Sequence, residues 1–114
     1  MKLVALAALV AALTMSSAAL AATPTLNGTD GPGFTITLTK GGAKVSKLKP
    51  GSYKIVIADK SSIHNFHLKG PGVDKKTSVS GTGNTTWTVK LKKGKYTFVC
   101  DPHATVMKGS FTVS

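Results

Sequence analysis

The stretch Tyr96-Thr-Phe-Val-Cys-Asp-Pro-His-Ala-Thr-Val-Met-Lys-Gly109 combines a strand pattern with three side chains that can bind soft metals. Its first half alternates apolar and polar residues, which predicts a strand that places Cys100 on its apolar face. Pro102 cannot continue a ladder in the middle of a sheet, so the strand should end after Cys100. A tight loop can then bring His103 and Met107 back towards the Cys100 sulfur.

A thiol, an imidazole and a thioether within eight residues suit copper, which changes its oxidation state by one electron. Zinc accepts the same donors but usually lacks a weak thioether contact. Taken singly, Cys100 is explained as a small core residue, His103 as a loop residue and Met107 as core filler. Their joint occurrence at this spacing favours a metal site.

A further ligand is expected from segment 63–68, which reads Ile-His-Asn-Phe-His-Leu. If this segment is a strand, His64 shares its apolar face with Phe66 and Leu68, whereas His67 points the other way. A straight strand cannot offer both histidines to one metal, so His64 is the preferred ligand. His64 could also be a satisfied core histidine, and His67 is either a surface or supporting residue or the alternative ligand.

Apolar and polar residues also alternate outside these segments, in the runs 34–39, 53–57, 86–91 and 110–114. Turn signals rich in Gly and Pro separate the runs. Strands at this spacing, without a segment of helical period, predict an all-β sandwich or barrel. Trp87 is interpreted as core packing within its run.

Residues 1–21 have the layout of a secretory signal peptide, with Lys2, an apolar run and a final Ala-Leu-Ala. Cleavage is expected after Ala21, which predicts export to a periplasm or out of the cell and no membrane span afterwards. A retained membrane anchor is the alternative, because residues 3–22 are long enough to span a bilayer. Residues 22–33 are expected to form an exposed N-terminal segment, and residues 34–114 the folded domain.

The chain contains one cysteine, so no internal disulfide can form. Exported proteins normally pair their cysteines, because their surroundings are oxidising. A lone Cys100 in that environment is therefore buried and inert, paired between chains, or held by a metal.

The charge is strongly positive, with fifteen Lys and no Arg against four acidic residues, all Asp. This balance predicts an acidic partner or an anionic surface. Nucleic acid is not an expected partner, because proteins that bind nucleic acid usually use Arg side chains, which form paired hydrogen bonds to phosphate and guanine. The lysines could also serve solubility alone. With no Glu and no nucleophile–base–acid arrangement, an enzyme is not expected.

Segment 64–67 (His-Asn-Phe-His), together with 96–103 (Tyr-Thr-Phe-Val-Cys-Asp-Pro-His) and the Met-Lys-Gly at 107–109, resembles the type 1 blue copper proteins. These are the cupredoxins, and the plastocyanin and amicyanin kind is the most similar. The resemblance covers roughly residues 53–113. It implies a Greek-key β-sandwich of about 7–8 strands and one type 1 copper ion.

The resemblance also implies a role for each residue of the site. His64, Cys100 and His103 would form a trigonal set, with Met107 as the long axial ligand. Asn65 would tie the two ligand-bearing loops together by hydrogen bonds, which orients the ligands. The three residues between His103 and Met107 make a loop intermediate between the plastocyanin and amicyanin types, which leaves the axial bond and the potential open.

By the same resemblance, the protein would carry single electrons as a monomer, and the electron would leave through His103. Pro102, Ala104 and Val106 are predicted to form a small apolar docking patch, and the lysines are predicted to steer an acidic redox partner. Asp101 is interpreted as a surface loop residue, with tuning of the potential as the alternative. The alternatives are a protein that stores or delivers copper, and a metal-free, Lys-rich β-sandwich that binds acidic polymers or surfaces.

Overall fold

The computed structural model of the chain describes residues 22–114. The predicted signal peptide and its cleavage site fall on residues 1–21 and lie outside this range. The structure contains, in residues 22–114, no helix that is both long and apolar enough to cross a bilayer.

Ten strands make up most of residues 22–114, and two of them are only two residues long. In chain order they are β1 (Thr25–Asp30), β2 (Ile36–Lys40), β3 (Ala43–Lys44), β4 (Lys47–Leu48), β5 (Gly51–Asp59), β6 (His67–Gly70), β7 (Val73–Lys76), β8 (Gly83–Leu91), β9 (Gly94–Val99) and β10 (Lys108–Val113). They form two five-stranded sheets, in the orders β3-β2-β1-β5-β8 and β4-β10-β9-β6-β7. The predicted all-β sandwich is confirmed.

The inward-facing side chains of the two sheets form one core. On β5, the buried residues Tyr53, Ile55 and Ile57 alternate with more exposed ones, as a period of two requires. Phe66 stacks on Phe98 with ring centroids 5.5 Å apart, and the half-buried Trp87 approaches Phe66 edge-on at 6.4 Å. Aromatic packing therefore joins the sheets directly beneath the end that carries Cys100.

The expectation that residues 22–33 form an exposed segment is wrong. β1 lies at the centre of the first sheet, between β2 and β5, with Leu26 and Asp30 fully buried. Gly28 occupies the inward position between them, and a Cβ there would lie 2.6 Å from the Ile57 Cδ1 atom. With one large apolar residue on its inward face, β1 carries too weak an alternation to be recognised. The folded domain includes Thr25 and does not begin at residue 34.

Two strands begin later than the alternation predicts. β2 starts at Ile36, and Phe34 lies exposed in the preceding loop. β6 starts at His67, so His64 and Phe66 lie in the loop before it. His64 and Phe66 are nevertheless fully buried, so the predicted inward face is right although the predicted strand is too long.

Candidate metal centre

The loop after β9 brings Cys100, His103 and Met107 together through its own backbone. Cys100 follows the strand, and Asp101–His103 forms a 3₁₀ turn with Pro102 near its start. The His103 amide donates to the Cys100 carbonyl at 3.0 Å, and the Met107 amide donates to the His103 carbonyl at 2.8 Å. The Cys100 amide donates to the Met107 carbonyl at 3.0 Å. These bonds hold the three residues in one closed loop.

His64 reaches the same place from the loop that follows β5. The Ser61 amide donates to Asp59 Oδ1 at 3.1 Å, and the Ile63 amide donates to Ser61 Oγ at 3.3 Å. These local bonds favour a turn over a longer strand. Gly31 lies close to the His64 ring, because a Cβ at Gly31 would be 3.2 Å from His64 Cδ2. The turn thus directs the His64 ring inward beneath the neighbouring loop.

The Cys100 sulfur and two imidazole nitrogens converge on one point. Cys100 Sγ lies 3.7 Å from His64 Nδ1 and 3.5 Å from His103 Nδ1, and the two nitrogens are 3.1 Å apart. In the triangle with these sides, the point equidistant from the three atoms lies about 2.0 Å from each. Bonds from zinc to nitrogen and sulfur measure about 2.0 and 2.3 Å, so the three donors fit a transition metal ion of similar size.

The chemistry of the three donors agrees with this fit. Two Nδ1 atoms 3.1 Å apart require either one shared proton or a cation between them, because two lone pairs at that distance repel. Soft sulfur with two imidazoles suits copper or zinc. The three donor atoms all lie within 4.8 Å of one another, and Met107 is fully buried in the same loop. The residues present therefore fit a metal ion.

His67 does not join this cluster. Its Nδ1 lies 2.7 Å from Asp101 Oδ1, and its Nε2 lies 2.5 Å from Asp74 Oδ1. Partial burial lowers the pKa of His67, but the bonds to Asp101 and Asp74 outweigh burial and raise the pKa above its ordinary value. When His67 is protonated, both ring nitrogens donate to carboxylates, and the ring then links Asp101 to Asp74.

Asn65 joins the two segments that carry the donor residues. Its side-chain Nδ2 donates to Asp101 Oδ2 at 2.8 Å, and the Asp101 amide donates back to Asn65 Oδ1 at 2.8 Å. Asn65 Nδ2 also donates to the Thr77 carbonyl at 3.2 Å. Because Asn65 follows His64 and Asp101 follows Cys100, these bonds fix the His64 backbone relative to that of Cys100.

Asp101 is more than the surface loop residue that the sequence predicts. Its side chain is partly exposed, but it accepts hydrogen bonds from both Asn65 and His67. Partial burial raises the pKa of Asp101, but these bonds more than offset burial and lower the pKa. Asp101 therefore remains a carboxylate that orients its neighbours. The sequence shows Asp101 only as a residue beside Cys100, and nothing in the pattern reveals its distant partners.

Phe34 is another residue near the cluster whose place the sequence pattern does not predict. Its ring meets His64 and His103 edge-on, with centroids 5.2 and 5.0 Å away. Phe34 is 60% exposed, and two further large apolar residues at this end, Ile63 and Val106, are 53% and 66% exposed. Together with the partly exposed His103, these side chains form an apolar surface over the cluster, which is called the apolar patch below.

A buried pair of carboxyl groups lies beneath the same loops. Asp30 ends β1 and Asp59 ends β5, and the two residues are partners in the parallel register. Both Asp30 oxygens are buried and lack a hydrogen-bond partner among residues 22–114, apart from any proton shared with Asp59. Burial, with the neighbouring Asp59 carboxyl adding to it, raises the pKa of Asp30 to about 7. Below about pH 7 the pair therefore holds a proton.

Comparisons with known proteins agree with this description. The family model of the cupredoxin-like domain matches residues 4–113. A structure of reduced rusticyanin matches with a TM-score of 0.61 and 21% identity, covering 81% of this chain and 79% of that chain. Rusticyanin from Thiobacillus ferrooxidans matches with a TM-score of 0.57 and 24% identity, covering 81% and 77%.

At these identities the solved structures show a shared fold. No curated protein sequence matches the chain significantly. The two histidines and one cysteine at the end of this fold suggest a single copper site, because sulfur and imidazole donors suit copper and the family model is that of a cupredoxin-like domain. Because the family model spans almost the whole sequence, the chain belongs to the family of cupredoxin-like domains.

Proposed function

We propose that this protein carries single electrons through one type 1 copper ion, which His64, Cys100, His103 and Met107 would hold. The observation that carries the proposal is the convergence of one sulfur and two Nδ1 atoms on a point about 2.0 Å from each. Copper bound there would supply one-electron oxidation and reduction. A solved protein of the same fold, rusticyanin, is described as a copper protein.

The chain's own residues hold the donors in a fixed arrangement. Cys100, His64 and Met107 are fully buried, and Asn65 cross-links the loops that carry His64 and Cys100. Donors that are locked by packing and hydrogen bonds move little when the charge at the site changes. Little rearrangement means a low barrier to electron transfer. We propose a carrier without catalytic activity of its own, because three of the four proposed ligands are fully buried.

His103 is the proposed route for the electron. It is the one partly exposed member of the cluster, and the apolar patch surrounds it. A partner that docks on this patch excludes water and comes within contact distance of the imidazole. We propose that the partner is an acidic redox protein, since fourteen Lys against four Asp after residue 21 give about +10, which attracts it from a distance. The carrier itself would act as a monomer.

Export is part of the proposal. It is supported by the signal-peptide layout of residues 1–21. We propose a periplasmic or extracellular location after cleavage behind Ala21. The mass of the protein recovered from an exporting host should correspond to a chain that begins at Ala22.

Storage or delivery of copper is the competing function. Delivery requires a metal that an acceptor can reach, whereas three of the four proposed ligands are fully buried. A carrier of electrons should keep its metal through both oxidation states. Repeated oxidation and reduction of the copper-loaded protein should therefore give a reversible one-electron wave without loss of metal.

A competing chelator makes this experiment decisive. Under the proposal, a Cu(I) chelator added to the reduced protein removes copper far more slowly than the protein exchanges electrons. Rapid and complete removal of Cu(I) would favour delivery instead. A protein that binds no copper at all would favour a metal-free binding module.

A further inference from the structure

Six exposed lysines gather at the end of the sandwich opposite to the metal-binding cluster. The cluster lies at the end where β1, β5 and β9 finish, called the metal end. The other end, called the basic pole, carries Lys47, Lys49, Lys90, Lys92, Lys93 and Lys95. Strand register fixes this placement: Lys90 lies opposite Ser52 at the start of β5, and both Lys47 and Lys95 pair with Thr112 near the end of β10.

Most of the charge of the basic pole is unbalanced. One acidic side chain, Asp74, lines a recess with Lys90 and Lys92, and its carboxylate is also bound by His67. The chain has four acidic residues. Asp30, Asp59 and Asp101 lie at the metal end, and Asp74 lies midway along the second sheet, opposite Lys69. The positive charge of the molecule is therefore concentrated away from the proposed copper site.

Apolar surface is distributed in the opposite way. The large exposed apolar residues in the described part of the chain, Phe34, Ile63 and Val106, all lie at the metal end. At the basic pole, a recess of about 540 Å³ is lined in part by Lys40, Lys47 and Lys49. Recognition at the basic pole therefore depends on charge, with room between lysines for an anionic group.

The basic pole is too far from the cluster to serve electron transfer. Cys100 is six residues beyond Gly94 along β9, a separation of roughly 20 Å at 3.3 Å per residue. A redox centre docked beneath the lysines would lie still further away, and tunnelling rates fall exponentially with distance. A binding partner of the basic pole would therefore differ from the partner that exchanges electrons at His103.

We propose that the basic pole binds the surface of an anionic phospholipid bilayer. Clusters of four to eight basic residues are attracted to anionic lipids, each Lys adding to the affinity. Lysine ammonium groups act as point charges, which suit a diffuse anionic surface. The sequence contains no Arg, whose guanidinium group would bind a single phosphate through two hydrogen bonds. No large aromatic side chain is exposed at the basic pole in residues 22–114, so stacking of nucleic-acid bases has no platform.

Binding by the basic pole would orient the molecule. With the lysines against the lipid, the apolar patch and His103 face the aqueous side and stay free for a soluble partner. The long axis of the sandwich then separates the two contacts, so one does not block the other. This inference concerns lipid binding and does not depend on whether copper is bound.

Co-sedimentation with vesicles tests the proposal. The purified protein is mixed with vesicles of phosphatidylcholine alone or with about one-third phosphatidylglycerol, at low and high salt. We expect binding to the anionic vesicles only, and its loss at high salt because ions screen the attraction. Comparable binding to neutral vesicles, or none to anionic ones, would overturn the proposal.

Matched variants locate the contact. Lys90→Gln, Lys92→Gln and Lys93→Gln combined should weaken binding to anionic vesicles roughly a hundredfold, at about fivefold per lysine. The control combines Lys60→Gln, Lys76→Gln and Lys108→Gln, which remove the same charge from exposed sites nearer the metal end. The control should retain affinity within about threefold, since those lysines lie beyond the screening length.

Equal weakening by both sets would show that net charge, rather than the basic pole, is responsible, and would refute the proposal. So would a soluble acidic polymer, poly-glutamate, that binds the basic pole more tightly than vesicles do. An unchanged midpoint of thermal unfolding in both sets shows that the variants are folded.

Discussion

Asn65 and Asp101 make the residue contacts on which the geometry of the cluster most depends. Each lies next to a proposed ligand, and their two reciprocal bonds of 2.8 Å connect loops that are 36 residues apart. Reciprocal bonds of this kind fix an orientation as well as a distance, because both side chain and backbone take part. Small movements of the two loops are therefore resisted before any metal binds.

Asn65→Ala should lower the free energy of unfolding by about 1–3 kcal/mol, because it leaves the Asp101 amide and the Thr77 carbonyl without their partner. Unfolding in urea measures this. Asn84→Ala is the control, since Asn84 is exposed on β8, and it should change stability by less than about 0.5 kcal/mol. Equal effects of the two substitutions would show that the Asn65 bonds contribute nothing particular.

The buried Asp30 makes a second prediction, about pH. Its pKa of about 7 in the folded protein exceeds 3.8, so between these values the folded chain holds a proton that the unfolded chain has lost. Stability from this group is therefore lost as pH rises from about 4 to 7. Asp30→Asn keeps the shape and removes the titration. Its stability relative to the native protein should rise between pH 4.5 and 8 in urea unfolding, and a constant difference would contradict the account.

Among the secondary-structure elements, β1 shows the limit of reading strands from alternation. The strands β5, β8 and β9 could be predicted because large apolar residues fill their inward positions. β1 could not, because its inward positions hold Leu26, Gly28 and Asp30, and each of the last two is explained only by a distant neighbour. Gly28 faces Ile57 and Phe66, and Asp30 pairs with Asp59. Contacts with residues that are distant in the sequence leave no periodic signal in it.

Gly28→Ala tests the place of β1 in the core. The new Cβ would lie 2.6 Å from Ile57 Cδ1 and 2.9 Å from a Phe66 ring carbon, so we expect a loss of about 1–3 kcal/mol from overpacking. Gly33→Ala, in the following loop, meets no heavy atom within 4 Å and serves as the control. Thermal or urea unfolding distinguishes them. If Gly28→Ala were as stable as Gly33→Ala, β1 would not pack as described.

The loops at the metal end were predictable in part. The Cys100 loop could be read because its donors are local in sequence and Pro102 marks its turn. The inward face of His64 could also be read, although the segment is a turn held by Ser61 and Asp59 rather than a strand. Phe34 could not be placed, because it is the first residue of the alternating run 34–39. In the sequence, an exposed aromatic at that position looks the same as a core residue.

At the scale of the whole molecule, the chain separates an apolar end from a basic one. Composition alone gives the net charge but not its placement, which depends on strand register. The prediction that lysines steer an acidic partner stays a prediction. The register adds that six of the lysines lie far from His103, so steering acts at long range while docking depends on the apolar patch.

Electron exchange between two copies of the copper-loaded protein tests the role of the apolar patch. Val106→Asp places a charge among apolar contacts, which should slow self-exchange by about tenfold or more through repulsion and desolvation between like copies. Thr112→Asp, exposed on β10 near the basic pole, is the control and should leave the rate nearly unchanged. Line broadening in mixed oxidised and reduced samples measures the rate. A larger decrease of the self-exchange rate in Thr112→Asp than in Val106→Asp would place the exchange contact at the basic pole instead.

The claim on which the account rests is that Cys100 and the two histidines bind one copper ion together. Titration of the purified protein with Cu(II), followed by visible absorption, tests it most directly. We predict an intense blue band from sulfur-to-copper charge transfer that saturates at one equivalent and is absent in Cys100→Ser. A protein that stays colourless, or a Cys100→Ser variant that turns equally blue, would contradict the account.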